Sequence, residues 1–297
     1  MKQYQWFPGH MAKALKEIDE RIKVIDVVLV LLDARAPYSS LNPKLQGIIQ
    51  HKPTIYILTK RDLADQKITN QWLNYFKKEE SKAVAIDVNH DNLNVIDKEA
   101  EVIMAPKFGR EKAKGIKPRA IRYLVVGIPN VGKSTLINRL AKRKATVTAN
   151  RPGVTKAQQY IKVNARMELL DTPGVLWPNF DDNTIGTKLA MIGTIKQDIL
   201  PQEDLALQIL NLLTTNYPLS LQSYYEITES PVLDEKQAYN MLNEIGLKRG
   251  FLLKGNNVDI TRSITTLVKD FQSGKVAKVS LEIPGKDTWQ TVGTKTL

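Results

Sequence analysis

Residues 127–134 read GIPNVGKS and meet every specified position of the spacing G-x-x-x-x-G-K-[ST]. Each residue type has a physical task. Gly127 and Gly132 let the backbone curl so that successive N–H groups, from Asn130 and Val131 through Gly132, Lys133, Ser134 and Thr135, face phosphate oxygens. Lys133 brings a cation to the β- and γ-phosphates, and the Ser134 hydroxyl is a ligand for Mg2+. DTPG at 171–174 follows the strand-like run RMELL, so Asp171 is placed to hold Mg2+ through water and the Gly174 N–H to sense a γ-phosphate. A plain Pro-Gly turn is the alternative reading of DTPG. Between the two motifs lies RPGVT (151–155), where the Thr155 hydroxyl can close over the metal.

A guanine base requires a carboxylate to accept from its N1–H and N2–H2. Two segments offer one. TKRD (59–62) follows TIYIL, which reads as a strand, whereas IKQD (195–198) follows none and comes soon after DTPG. The first is preferred: Asp62 reads guanine, Lys60 lays its alkyl stem along the ring, and Thr59 stands where asparagine is commoner. Adenine is rejected, because its N6 donor and N1 acceptor mismatch that carboxylate and the backbone donors. After the next strand, AIDVN (85–89) offers the backbone N–H groups of Ile86 and Asp87 to the guanine O6. The expected ligands are GTP or GDP with Mg2+.

The elements that must position these residues are legible from hydrophobic periodicity. Strand-length apolar runs occur at 27–32, 54–58, 83–86, 121–126 and 166–170, several apolar throughout, as in a parallel sheet covered on both faces. Helical patterns fit at 11–22, 66–80 and 133–142, so strands alternate with helices in an α/β domain. Beyond about residue 200 only helical stripes remain, such as Ala238, Met241, Leu242 and Ile245, then Ile264, Leu267, Val268 and Phe271. The expected organisation is an α/β domain over 1–199, with an N-terminal arm and helix at 1–23, and a small all-α domain over 200–297. The base-reading motifs precede the phosphate-binding ones, the reverse of the ordinary order. The same parallel sheet results if a chain is cut after DTPG and its old ends are joined through 88–120.

A chain of 297 residues has room for about two domains. It contains no cysteine, which excludes disulfide scaffolds, thiolate metal sites and cysteine nucleophiles and suits a reducing cytosol. The longest apolar stretch, 24–34, is broken by Asp26 and Asp33, far short of the roughly 18 residues of a membrane span. No secretory signal is visible, so the expected location is cytoplasmic, without membrane attachment. The net charge of +12 is concentrated: residues 105–170 hold 16 basic and 2 acidic side chains. Within that stretch lie KFGREKAKGIKPR (107–119) and KRK (142–144). Counterion release makes a polyanion, nucleic acid foremost, the expected partner; a solvated linker face is the alternative.

With WFPGHMAKA (6–14), DARAP (33–37), TKRD, GIPNVGKS, RPGVT, DTPG and KDFQSGKVAKVSLE (269–282), nearly the whole chain resembles the circularly permuted GTPases of the YlqF/YawG type. The resemblance implies a circularly permuted P-loop GTPase domain with a mostly parallel sheet, followed by a helical C-terminal domain that binds RNA. It implies a GTP-hydrolysing factor that acts late in assembly of the large (50S) ribosomal subunit. Its partners would be the immature particle, rRNA and ribosomal proteins, with hydrolysis stimulated there and driving release, and the free protein would be monomeric. A GTP-dependent RNA-binding placeholder, or a GTPase of another RNA process such as tRNA modification, is the alternative. Val175 follows DTPG where many GTPases place a water-orienting glutamine, and an apolar side chain cannot orient water. The resemblance gives that catalytic role to His10, on an arm freed by Gly9. It also matches Asn130 to a position that helps hold K+ in related GTPases, a side-chain bond within the loop being the alternative.

Overall fold

Val27–Asp33 (VVLVLLD) is buried at every residue, which only a strand covered on both faces and flanked on both edges can achieve. It lies near the middle of a six-stranded sheet, in a computed structural model that describes residues 9–77, 81–117, 119–142, 159–172, 183–195, 201–228 and 234–286. In chain order the elements of the α/β part are α1 (Gly9–Arg21), β1 (Val27–Asp33), α2 (Pro43–Ile49), β2 (Thr54–Thr59), α3 (Gln66–Phe76), β3 (Ser81–Ile86), α4 (Asn94–Ala113), β4 (Ile121–Gly127), α5 (Lys133–Leu140), β5 (Gln159–Lys162) and β6 (Met167–Asp171). The sheet order is β3-β2-β1-β4-β6-β5, and every neighbouring pair is parallel except β5 with β6. From β1 the chain builds outward through β2 and β3, then returns through α4 to place β4 on the other side of β1. That reversal is the topological switch point at which open α/β sheets bind ligands.

All five expected strands are present. The edge strand β5 escaped the sequence reading because four residues, Gln159–Lys162, carry too little periodic signal. Helix α4 also escaped it, since its charged second half looked like a surface linker. Its first half buries Ile96, Ala100 and Met104 at helical spacing, and the stripe stops just before Pro106. Pro106 removes the donor to the Val102 carbonyl; Val102 is exposed, so water can take the donor's place and the helix continues to Ala113.

The second part holds α6 (Asn183–Met191), α7 (Gln202–Asn216), α8 (Ser220–Tyr225), α9 (Glu235–Lys248) and α10 (Ile260–Gln272). Its core comes from the expected stripes, Met241 and Ile245 of α9 and Ile264, Leu267, Val268 and Phe271 of α10, together with Leu205, Ile209 and Leu213 of α7. Asp234 and Asp259 cap α9 and α10 by accepting from backbone N–H groups of the first turn. The division of the chain differs from the expected break at 199/200. One unit comprises Met1–Asn183 with Ser280–Leu297, and the other Thr184–Val279. Gln272 Nε2 donates to the Ala190 carbonyl at 3.1 Å, which ties α6 to the helical unit, while the chain from Ser280 returns to the α/β unit.

Candidate functional site

Parallel strands end on one edge, and four motifs sit on that edge. The register pairs Asp33 with Thr59 and Thr59 with Ile86, Leu31 with Gly127, and Val125 with Asp171. TKRD therefore leaves β2, IDVN leaves β3 and GIPNVGKS leaves β4 side by side, and Asp171, the first residue of DTPG, closes β6 next to β4. The fold alone brings together the candidate phosphate and base residues, in spite of their inverted order in the chain.

The phosphate loop has the backbone its sequence demands. A Cβ on Gly127 (φ +155°) would come within 2.6 Å of the Leu31 carbonyl oxygen, so only glycine fits. Asn130 and Gly132 have positive φ, at 56° and 103°, which turns the chain into α5. Gly132 offers no capping side chain to that helix, and an anion is the partner that suits first-turn amides such as those of Lys133, Ser134 and Thr135. The buried Lys133 ammonium donates to the carbonyls of Gly127 (3.0 Å) and Ile128 (2.8 Å), which holds it against the loop. Thr172, next to Asp171, donates its hydroxyl to the Val125 carbonyl at 2.7 Å and pins the end of β6 to β4.

The base side is braced from several directions. The fully buried Thr59 hydroxyl lies 2.8 Å from the Val131 carbonyl of the phosphate loop and 3.0 Å from the Leu32 carbonyl of β1. Its single proton is shared between them, so the hydroxyl bridges β1 and the phosphate loop. Lys60, in the left-handed region at φ 55°, places its ammonium 3.0 Å from Asp33 Oδ2. Burial alone would raise the Asp33 carboxyl, but the Arg35 and Lys60 charges and the Arg35 hydrogen bonds outweigh it and hold it well below the usual carboxylate range. Asp62 is exposed and makes no hydrogen bond or ion pair among the described residues.

The loop after β3 bears on one expectation. The Asp87 N–H, expected to meet guanine O6, already donates to Asp91 Oδ2 at 2.8 Å. The Asn89 N–H goes to Asp87 Oδ1, and those of His90 and Asp91 to the Asp87 carbonyl. Val88 N–H is the one amide of 87–91 without an acceptor among the described residues. Ile86 closes β3, paired with Thr59, and its buried side chain belongs to the core. The sequence reading missed Asp91 and Arg139, whose partners are distant in the chain. Arg61 of TKRD grips Asp91 with Nε at 2.5 Å and Nη2 at 2.7 Å, and this hydrogen bond chiefly lowers the Asp91 carboxyl to about 2. Arg139 of α5 donates to the carbonyls of Val88 (2.5 Å) and Asp91 (3.1 Å), locking the β3 loop to the helix that follows the phosphate loop.

The basic stretch is partly structural. Asp26, at the mouth of β1, is buried and accepts from Lys107 Nζ (2.6 Å), from Arg119 Nη1 (2.6 Å) and Nη2 (2.8 Å), and from the Arg122 N–H (3.0 Å). Arg110, Lys112, Lys114 and Lys117 remain exposed. His10 lies in the first turn of α1, as expected for its backbone; its side chain, that of Asp171, and the whole of Thr155 and Gly174 lie outside the described residues. Among the described residues no cluster of His, Asp or Glu forms a metal site by itself, and no helix is long and apolar enough to cross a membrane.

Comparison with known proteins agrees with this geometry. A family model described as 50S ribosome-binding GTPase matches residues 122–243. Ribosome biogenesis GTPase A of Bacillus licheniformis is 46% identical over 94% of this chain and 98% of its own length. The protein of the same name from Thermotoga maritima is 30% identical over 94% of each. The solved structure of GNP-bound YlqF from T. maritima superposes with a TM-score of 0.61 at 26% identity, covering 92% of this chain and 99% of that one. A GDP-bound YlqF structure gives the same TM-score at 25% identity, over 90% and 99%. The permuted sheet order, the phosphate loop and these full-length likenesses together place the chain in the ribosome biogenesis GTPase A family, the YlqF/YawG-type circularly permuted P-loop GTPases.

Proposed function

We propose that this chain is a GTP-hydrolysing assembly factor that binds the immature large (50S) ribosomal subunit and its rRNA, with hydrolysis stimulated there and driving release. The observation that supports it most is the 2.8 Å hydrogen bond from Thr59 to Val131, which joins a base-reading motif to a phosphate loop 72 residues later in the chain. Phosphates lie against the amides of Asn130–Thr135 and the Lys133 ammonium; guanine is read by Asp62, flanked by the Lys60 stem and the Val88 N–H. Hard oxygen donors suit Mg2+: Ser134 in the first turn of α5, the helix that follows β4, and Asp171 at the end of β6, the strand beside β4, with Thr155 completing the set. The ion, when bound, would offset charge on the β- and γ-phosphate oxygens. Asn130 is assigned to K+ near the same oxygens.

Val175 cannot orient water, so His10 takes that role on the particle. The exposed Arg110, Lys112, Lys114 and Lys117 supply phosphate contacts to rRNA, alongside ribosomal proteins; the helical unit is a second RNA-binding part. The free protein is a cytoplasmic monomer. The test is GTP turnover with and without large subunits, in potassium and in sodium, for wild type and His10→Ala. Large subunits should accelerate wild-type turnover, more in potassium, and His10→Ala should lose the acceleration. Turnover indifferent to the particle, with GTP-form protein that does not co-sediment with it at moderate salt, would overturn the reading.

A further inference from the structure

After α10 the chain returns to the α/β unit as a short strap, residues 280–286, wedged between α3 and the loop that follows β1. The Leu281 N–H donates to the Arg35 carbonyl at 2.7 Å, and Trp72 Nε1 of α3 donates to the Glu282 carbonyl at 3.1 Å. Between these anchors the Glu282 side chain is 0% exposed. Its carboxylate accepts the N–H groups of Tyr38 (2.7 Å) and Ser39 (3.1 Å) and the Ser39 hydroxyl. A buried carboxylate is costly unless its acceptor sites are filled, and an apolar residue would plug the same space more cheaply. Its presence fixes the loop it binds.

That loop leads to the base site. Its Ala34 N–H donates to the Thr59 carbonyl at 2.9 Å. Its Arg35 holds Asp33 through Nε (2.9 Å), Nη2 (2.8 Å) and its own N–H (3.1 Å). Asp33 Oδ2 in turn lies 3.0 Å from Lys60 Nζ. Lys60 sits in the left-handed backbone region that a side-chain-bearing residue adopts only when its surroundings impose it. We infer that Glu282 is a positioning residue for the base-flanking lysine: it holds the 34–41 loop, the loop holds Asp33, and Asp33 holds Lys60. Guanine-nucleotide affinity therefore depends on a strap more than two hundred residues further along the chain.

The inference rests on the proposed base site, and a double-mutant cycle separates the two. GDP dissociation constants are measured by displacement of a fluorescent GDP for full-length wild type, Glu282→Gln, Lys60→Met and the double variant, each checked for folding by circular dichroism. Glu282→Gln should weaken GDP by about three- to thirty-fold in the wild-type background and by less than about twofold once Lys60 is Met. No effect, or an equal effect in both backgrounds, overturns the positioning route and leaves the base site standing. If Lys60→Met itself leaves GDP affinity unchanged, the ion pair with Asp33 does not position the lysine stem and the positioning route fails, whereas the base-site reading fails only if Asp62→Asn leaves guanine discrimination unchanged. Should Glu282→Gln not fold, Ser39→Ala, which removes one donor and keeps both amides, is put through the same cycle with the same outcomes.

Discussion

Thr59 shows how much one hydroxyl can carry. It is fully buried, and its proton is shared by two carbonyls, one on β1 and one in the phosphate loop. Thr59→Val keeps the shape and removes the donor, leaving the buried Val131 carbonyl short of a partner, while the Leu32 carbonyl keeps its place in the β1–β2 ladder. The expected loss is about 1–3 kcal/mol of stability, the usual cost of unsatisfied buried polar groups. Urea unfolding checks this, and GDP affinity should fall as well, because the phosphate loop loses its tie to the base motif. A variant as stable as wild type would show that the bridge is incidental.

Among the elements, Asp26 ties β1 and β4 to α4 and to the segment that closes the sheet's two halves. Burial alone would raise its carboxyl; hydrogen bonds from Arg119, then Lys107 and the Arg122 amide, outweigh that and hold it well below the usual carboxylate range. A value depressed by folding stabilises fully above the unfolded carboxylate range and is lost as pH falls below about 4. Asp26→Asn should cost about 1–3 kcal/mol at neutral pH, less than for a wholly buried pair, because both cations keep roughly 40% exposure. The variant should also lose less further stability than wild type on acidification, as read by urea unfolding across the acid range. An acid profile parallel to that of wild type would refute the role given to Asp26. The same network explains why the long helix α4 persists past Pro106: Lys107, just beyond the proline, is anchored to Asp26.

For the whole molecule, the sheet order β3-β2-β1-β4-β6-β5 lets Asp62 and Lys133 serve one nucleotide although the chain visits the base side first. If they do, Asp62→Asn exchanges an acceptor pair for one acceptor and one donor, which suits xanthine rather than guanine. Calorimetry should show GDP weakened by about tenfold or more and xanthosine diphosphate strengthened. Discrimination unchanged by the substitution would mean that the carboxylate does not read the base.

Composition, motif spacing and periodicity were enough for the domain class, the phosphate loop, five of the strands and the inverted motif order, because every motif and strand they rest on is written within a dozen consecutive residues. Local sequence did not reveal the four-residue β5, the charged half of α4, or the boundary at which the chain re-enters the first unit at Ser280. Nor did it reveal which amide of the β3 loop is left for a base, since Asp87 is silenced by Asp91, and Asp91 is fixed by Arg61 thirty residues earlier. Residue order alone settles which chemical groups this protein owns and in what local backbone they sit. Which of those groups are already spent on one another, as with Lys107, Arg119, Asp87 and Glu282, emerges on folding, because hydrogen bonds and charges find partners by distance in space, and chain position carries no record of it.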